Sequence, residues 1–361
     1  MRIAFRCDAA PTMGIGHLMR CLTLADALAA RGCACCFLLA DDSAAHAGRV
    51  EARGHSVKVL GLSNLSPDLG GSRPQVADRL PWGWRRDAHA ALAAVEPDTA
   101  WIVVDHYGID ASWHEAFRAR GQRLLAIDDM ADRPLACDML LDHNASAAED
   151  LYALRLRKPA RMLLGPRYAL IRPAVEALRR EPSDGPISRI LVSFGGAAAG
   201  SVYRRFAETL ASLPLRPLAI TLIGVADADD RVAIEALGSG QVAFAAYGIV
   251  GDLVERSAAA DLCIGAAGVS ALERALVGAP TLTYVTADNQ RLAIAALGRA
   301  GALVDMGDIA DFSATALVDT ILRLHYMPAA RRSLAMNGQN LVPGGGPGRV
   351  ADAIFSSGEG R

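Results

Sequence analysis

Three short apolar runs closing on aspartate limit the architectures open to this chain. They are Trp101-Ile102-Val103-Val104-Asp105, Leu124-Leu125-Ala126-Ile127-Asp128-Asp129 and Met139-Leu140-Leu141-Asp142. Runs this short and apolar on both faces suit interior strands of a parallel sheet. Parallel strands need long crossovers, and the chain supplies helical ones. Leu18, Cys21, Leu22, Ala25 and Leu28 recur at helical spacing, which predicts a helix from Leu18 to Ala30 closed by Arg31-Gly32. Around it stand strands from Arg2 to Phe5 and from Cys33 to Leu39, a helix-like piece from Ala44 to Gly54 and a short strand from Ser56 to Leu60. Residues 61 to 81 carry Asn64, Pro67, Gly70, Gly71, Pro74 and Pro81 and read as a long loop before a helix from Arg85 to Val95. This is the β/α alternation of an α/β fold.

The alternation starts again further on. Leu164 to Pro173 reads as a rigid passage, and Glu181-Pro182-Ser183-Asp184-Gly185-Pro186 as a linker. Arg189 to Phe194 opens a second series, with strands at Leu218 to Ile223, Val242 to Ala245, Leu262 to Ile264 and Thr281 to Val285. The expected organisation is a Rossmann-like domain over 1–180, a second over 181–330, and a helical segment over 331–361 crossing between them. The run Gly344-Gly345-Gly346-Pro347-Gly348 reads as a turn within that segment.

Composition narrows the chemistry. The 361 residues are 52% hydrophobic and carry a formal charge of −2, with scattered arginines. This is no backbone-neutralising nucleic-acid protein. Seven cysteines, at 7, 21, 33, 35, 36, 137 and 263, lack zinc spacing and read as core thiols in a reducing compartment. No leader-like apolar region opens the chain and no apolar stretch is long enough for a bilayer, so the expectation is cytoplasmic, without membrane insertion. There is no P-loop, and Gly14-x-Gly16 lacks the third glycine of a dinucleotide fingerprint. Asp105, His106, Asp128, Asp129, Asp142 and His143 are metal-capable types without a local anchor motif. Neither cofactor nor metal is expected.

Open α/β sheets bind ligands beyond the carboxyl ends of their strands. Gly14, Gly16 and His17 stand at the first such end, where glycine permits tight backbone geometry. A helix N-terminus offers N–H groups to anions, and its dipole disfavours imidazolium, as a general base requires. His106, Tyr107 and Gly108 follow a later strand. In the second half, Gly195-Gly196 and Gly265-Ala266-Ala267-Gly268 let amides approach phosphate. Glu273 repels phosphate but suits a ribose diol, and the amides of Asn289 and Gln290 suit sugar hydroxyls and acetamido groups.

These stretches, in order, resemble the nucleotide-sugar hydrolases of pseudaminic acid biosynthesis, which act on UDP-2,4-diacetamido-2,4,6-trideoxy-β-L-altropyranose. The resemblance rests on Arg6-Cys7-Asp8, Gly14-x-Gly16-His17-x-x-Arg20, Asp105-His106-Tyr107-Gly108 and Ile127-Asp128-Asp129. It continues through Cys137-Asp138, Leu141-Asp142-x-Asn144, Tyr168-Ala169-Leu170-Ile171-Arg172, Ser193-Phe194-Gly195-Gly196, Gly265-Ala266-Ala267-Gly268, Glu273 and Asn289-Gln290. It implies a GT-B architecture, with two Rossmann-like domains flanking a substrate cleft, and hydrolysis of the glycosyl–phosphate bond without transfer to an acceptor; direct displacement by water should invert the anomeric configuration. It assigns water activation to His17, a place beside the reacting sugar to Tyr107, and nucleotide-sugar binding to Glu273 and Asn289. Arg6, Asp8, Gly16, Arg20, Gly195, Gly196, Gly265, Ala266, Ala267, Gly268 and Gln290 join the substrate-binding set. The implied partners are a UDP-linked diacetamido trideoxy sugar and water. Departures are Gly195-Gly196-Ala197-Ala198, where family members often carry aspartate at the last position, and Val269-Ser270-Ala271 in place of the more polar stretch common after the glycine turn. A glycosyltransferase of the same fold and a non-catalytic nucleotide-sugar-binding protein are the competing readings.

Overall fold

The apolar runs become strands of two parallel sheets in a computed structural model that describes residues 1–9, 15–63, 79–195 and 198–357, without the side chain of Asn289. Most of the loop expected over 61–81 lies outside these residues, as do Gly14 and Gly196.

The chain divides into two compact units, Met1–Ile171 with Gly345–Arg361, and Arg172–Gly344. In the first unit the strands are β1 (Arg2–Cys7), β2 (Ala34–Leu39), β3 (Ser56–Val59), β4 (Thr99–Asp105), β5 (Arg123–Ile127), β6 (Met139–Asp142) and β7 (Arg161–Leu164). Their order is β3-β2-β1-β4-β5-β6-β7, all parallel. The winding reverses between β1 and β4, the place where such a sheet takes its ligand. Apolar clusters cover both faces. One holds Phe5 and Phe37, stacked at 4.8 Å; the other holds Trp113 and Phe117 from the helix Ala111–Arg118.

The second unit repeats the plan with β8 (Arg189–Ser193), β9 (Leu218–Ile223), β10 (Val242–Tyr247), β11 (Leu262–Ala266), β12 (Thr281–Val285) and β13 (Val304–Asp308). Their order is β10-β9-β8-β11-β12-β13, again parallel, with the reversal between β8 and β11. β13 escaped the sequence reading because Asp305, Gly307 and Asp308 break its apolar pattern, as an edge strand permits.

Several expected boundaries shift. The first helix is Gly16–Ala29, so His17 lies in its first turn. The piece from Ala44 to Gly54 is a 3₁₀ turn, Asp41–His46, running into a short helix, Ala47–Glu51. The unit boundary falls after Ile171, not near 180, because the short helix Pro173–Glu176 packs against Val269–Val277 of the second unit. The segment expected over 331–361 is also divided. The helix Pro328–Leu341 belongs to the second unit, while Gly346–Ser356 buries Val350, Ala351, Ala353 and Ile354 in the core of the first. Burying Val350 and Ile354 stabilises that docking by about 1.5–3 kcal/mol each.

The glycine-rich run between these helices is a turn, with Gly344 and Gly345 at φ +80° and +66°. At Gly346 the constraint is space, since a Cβ there would lie 2.1 Å from the Ala169 carbonyl oxygen. Gly346→Ala should therefore lower stability by about 1–3 kcal/mol, read as an earlier urea midpoint. An unchanged midpoint would mean the helix docks without that close approach.

Candidate active site

The reversal between β1 and β4 gathers charged side chains from residues far apart in the chain. His17 enters on the first turn of Gly16–Ala29, and Asp105 is the last residue of β4. His17 Nδ1 lies 2.6 Å from Asp105 Oδ1, with both side chains buried. Arg20, one turn on, grips the same carboxylate as a fork: Nε donates to Oδ2 and Nη2 to Oδ1, each at 2.6 Å. Burial alone would raise the Asp105 pKa, but the Arg20 guanidinium outweighs it and holds the carboxyl far below its usual range. Ionised Asp105 can only accept, so it calls for the proton on His17 Nδ1, which donates to Oδ1 while Arg20 Nη2 lies 3.1 Å from the same nitrogen; Nε2 keeps its lone pair, the tautomer a general base needs.

Tyr107 and Asp129 complete the group. The Tyr107 ring meets the His17 ring edge-on, centroids 4.7 Å apart at 84°. Its hydroxyl donates to Asp129 Oδ2 at 3.2 Å, and Arg20 Nη1 donates to the same oxygen at 3.2 Å. Burial, with the Asp129 charge beside it, pushes the Tyr107 pKa well up, so the phenol stays protonated. The structure thus brings His17, Arg20 and Tyr107 together and adds Asp105 and Asp129. Sequence reasoning noted both acids at strand ends, but their link to His17 spans 88 residues for Asp105 and is not written in local spacing. His143, just past β6, is also buried, and its Nδ1 has no hydrogen-bond partner.

Arg6 and Asp8, expected among the substrate-binding residues, lie in a buried polar network. Arg6 is fully buried, and its nitrogens face Asp87, Asp8 and the carbonyls of Cys7 and Leu38. Trp82 and Trp113 also donate to Asp87, and Asp8 accepts from Ala40 N–H and Ser43 Oγ. These residues tie the ends of β1 and β2 beneath the site. Gly16 opens the helix Gly16–Ala29, and a Cβ there would meet nothing among the described residues.

The second unit presents its glycine turns at its own reversal, and Asn289 and Gln290 beyond β12. Gly195 follows β8 at φ +82°, in a turn where the Tyr203 hydroxyl lies 3.1 Å from the Gly195 carbonyl. Ala198 packs against the apolar core. Gly265 pairs with Ser193 across β11 and β8, where a Cβ would lie 2.3 Å from the Ser193 carbonyl oxygen. Ala266 and Ala267 lead to Gly268, which opens the helix Val269–Val277 at φ +118° without a side-chain cap. Glu273 is mostly buried, and burial raises its pKa against the opposing charges of Arg172 and Arg274. The Gln290 carbonyl oxygen is taken up by Thr286 N–H and Oγ, at 3.1 and 3.0 Å. Asn289 lies in the 3₁₀ turn Asp288–Gln290, with its side chain outside the described set.

Among the described residues no three histidine, cysteine or acidic side chains are grouped to hold a metal ion. No described helix is long and apolar enough to cross a membrane.

No protein-family model and no curated protein matches the chain. Solved structures do, over nearly full length. Acinetobacter baumannii MurG shares 14% identity, over 99% of this chain and 100% of that one, with a TM-score of 0.70. A UDP-glucosyltransferase from Polygonum tinctorium shares 13%, over 99% and 98%, with 0.69. The glycotransferase of kitacinnamycin shares 16%, over 98% of each chain, with 0.67. The chain has the GT-B fold. At these identities the likeness concerns the fold alone.

Tyr152, Asp128 and Asp142 form a further buried cluster. The Tyr152 hydroxyl lies 3.1 Å from both Asp128 Oδ2 and Asp142 Oδ2. One phenol proton cannot serve two carboxylates. A protonated Asp142 donating to Tyr152, which donates to Asp128, satisfies all three. Burial, reinforced by the Asp129 and Asp128 charges, pushes Asp142 up to about 7, against about 4 for an ordinary aspartate. Between those values the folded chain holds a proton that the unfolded chain has lost, so this group's contribution to stability falls as pH rises. Asp142→Asn should flatten the pH dependence of the urea midpoint between pH 4 and 7. A slope equal to wild type would place the proton elsewhere.

Proposed function

We propose that the chain is an enzyme acting on a UDP-linked amino sugar, in which His17, held by Asp105, removes a proton from an oxygen nucleophile attacking the anomeric carbon. The 2.6 Å contact between His17 Nδ1 and the arginine-clamped Asp105 carries the reading. It orients the ring, fixes the tautomer and stabilises the imidazolium formed as the proton moves. The C1–O bond breaks as the nucleophile's bond forms, UDP leaves with the bridging oxygen, and the configuration inverts. The turns at Gly195 and Gly265–Gly268 and the uncapped helix after Gly268 suit the diphosphate of the leaving group. The Glu273 carboxylate, without a hydrogen bond or ion pair among the described residues, suits the ribose diol.

Two nucleophiles fit this chemistry. The fold neighbours named as glycosyltransferases favour transfer to an acceptor hydroxyl. The ordered motifs, from Arg6-Cys7-Asp8 to Asn289-Gln290, support hydrolysis of UDP-2,4-diacetamido-2,4,6-trideoxy-β-L-altropyranose in pseudaminic acid biosynthesis. Water also suits a base as enclosed as His17, which is 6% exposed. The seven free thiols support a reducing, cytoplasmic setting.

The purified full chain incubated with candidate UDP-diacetamido sugars in ¹⁸O-water separates the readings by mass spectrometry and NMR. Hydrolysis gives UDP and free sugar without acceptor, with label on the anomeric oxygen; transfer gives a glycoside only when acceptor is present. Label in phosphate instead would refute attack at carbon. His17→Ala and Asp105→Asn should each lower kcat by about 10²–10⁴-fold while UDP affinity holds. Near-normal turnover in both variants would remove the dyad from the mechanism.

A further inference from the structure

Five arginines are almost completely buried among the described residues: Arg6, Arg20, Arg133, Arg274 and Arg331. Three face carboxylates, Arg6 with Asp8 and Asp87, Arg20 with Asp105 and Asp129, and Arg133 with Asp128 and Asp132. Arg331 has none but donates to the carbonyls of Leu324, Ser183 and Gly185. Arg274 stands apart. It is 3% exposed, its Nη2 donates 2.7 Å to the Ala266 carbonyl, its Nε has no partner, and no carboxylate lies within ion-pair distance among the described residues. Its guanidinium also lies against Gly265, where a Cβ would sit 3.6 Å from Nη1.

A buried cation without a counter-charge is costly, and such a group is retained where something else supplies the anion. Arg274 extends back along its helix, as helical side chains do, to the turn from which that helix starts. Uncapped N–H groups at this end of Val269–Val277 face the same way, and no acid stands in its first turn. Burial lowers the Arg274 pKa, and the nearby Glu273 charge only partly opposes that effect.

We propose that Arg274 is a positioning residue for a nucleoside diphosphate: it lies beneath the Gly265–Gly268 turn, holds the Ala266 carbonyl and adds a positive field to the helix amides that meet the phosphates. The proposal rests on the nucleotide-sugar reading and assigns the phosphate half of that ligand a charge the protein leaves unneutralised.

Isothermal titration of the full chain with UDP and with uridine tests it, using Arg274→Gln, Arg274→Met and Arg274→Lys. Gln and Met should weaken UDP binding by at least about tenfold and leave uridine within about twofold, while Lys stays within about threefold of wild type for UDP. Circular dichroism checks folding; if one neutral variant fails to fold, the other carries the comparison. UDP affinity equal to wild type in a folded neutral variant overturns the proposal. So does an equal loss of UDP and uridine, which marks Arg274 as a prop for the turn. If wild type binds neither ligand, the nucleotide reading fails by itself, and inorganic pyrophosphate becomes the probe. Its stabilisation of wild type in thermal melts should then exceed that of Arg274→Gln, and equal shifts would overturn the anion site. If both neutral variants fail to fold, Arg274→Lys decides: retained preference for UDP over uridine supports the charge, and loss of that preference overturns it.

Discussion

The fork between Arg20 and Asp105 is the interaction on which the first unit's chemistry depends. Without it, Asp105 would be a buried carboxyl inclined to hold its proton, and His17 would lose the acceptor that fixes its ring. With it, a deeply buried acid stays ionised, and its charge is balanced before the histidine is counted. Arg20 also reaches Asp129, which in turn orders the Tyr107 hydroxyl. One guanidinium therefore sets the positions of four side chains contributed by the ends of three elements. Such a group has few alternative arrangements, because moving one member strands a buried charge.

The two units answer the same topological problem with different chemistry. Each is a parallel sheet whose winding reverses once, β1 against β4 and β8 against β11. The first fills its reversal with titratable side chains suited to moving a proton. The second fills it with glycines, small residues and backbone amides, suited to receiving a charged group without chemical change. This contrast is the physical basis for reading one unit as reactive and the other as binding.

Much of the fold was legible because parallel strands are read from apolar runs alone, and those ending at Asp105, Ile127 and Asp142 appear where expected. His17 was legible as a histidine at a glycine-flanked helix start. Its partner was harder to see, since the strand-end position of Asp105 is shared by acids that merely anchor loops. The burial of Arg6 is not legible either: a polar residue closing a strand looks solvent-facing in sequence, and only the packing of Asp87, Trp82 and Trp113 shows it enclosed. Glu181 to Pro186 has the composition of a linker and draws the expected boundary to near 180. The residues that change units are earlier, at Arg172 and Pro173, where packing and not composition decides.

The docking of Gly346–Ser356 into the first unit's core has a consequence for the order of events during synthesis. The second unit is a continuous stretch, Arg172–Gly344, and all of it leaves the ribosome before the helix that completes the first. The amino-terminal sheet, though made first, waits with part of its apolar face uncovered, while the sheet made later can close at once. A nascent protein stalled before Val350 would leave uncovered the side of Gly16–Ala29 against which Gly346–Ser356 packs, giving chaperones an apolar surface to hold until that helix arrives.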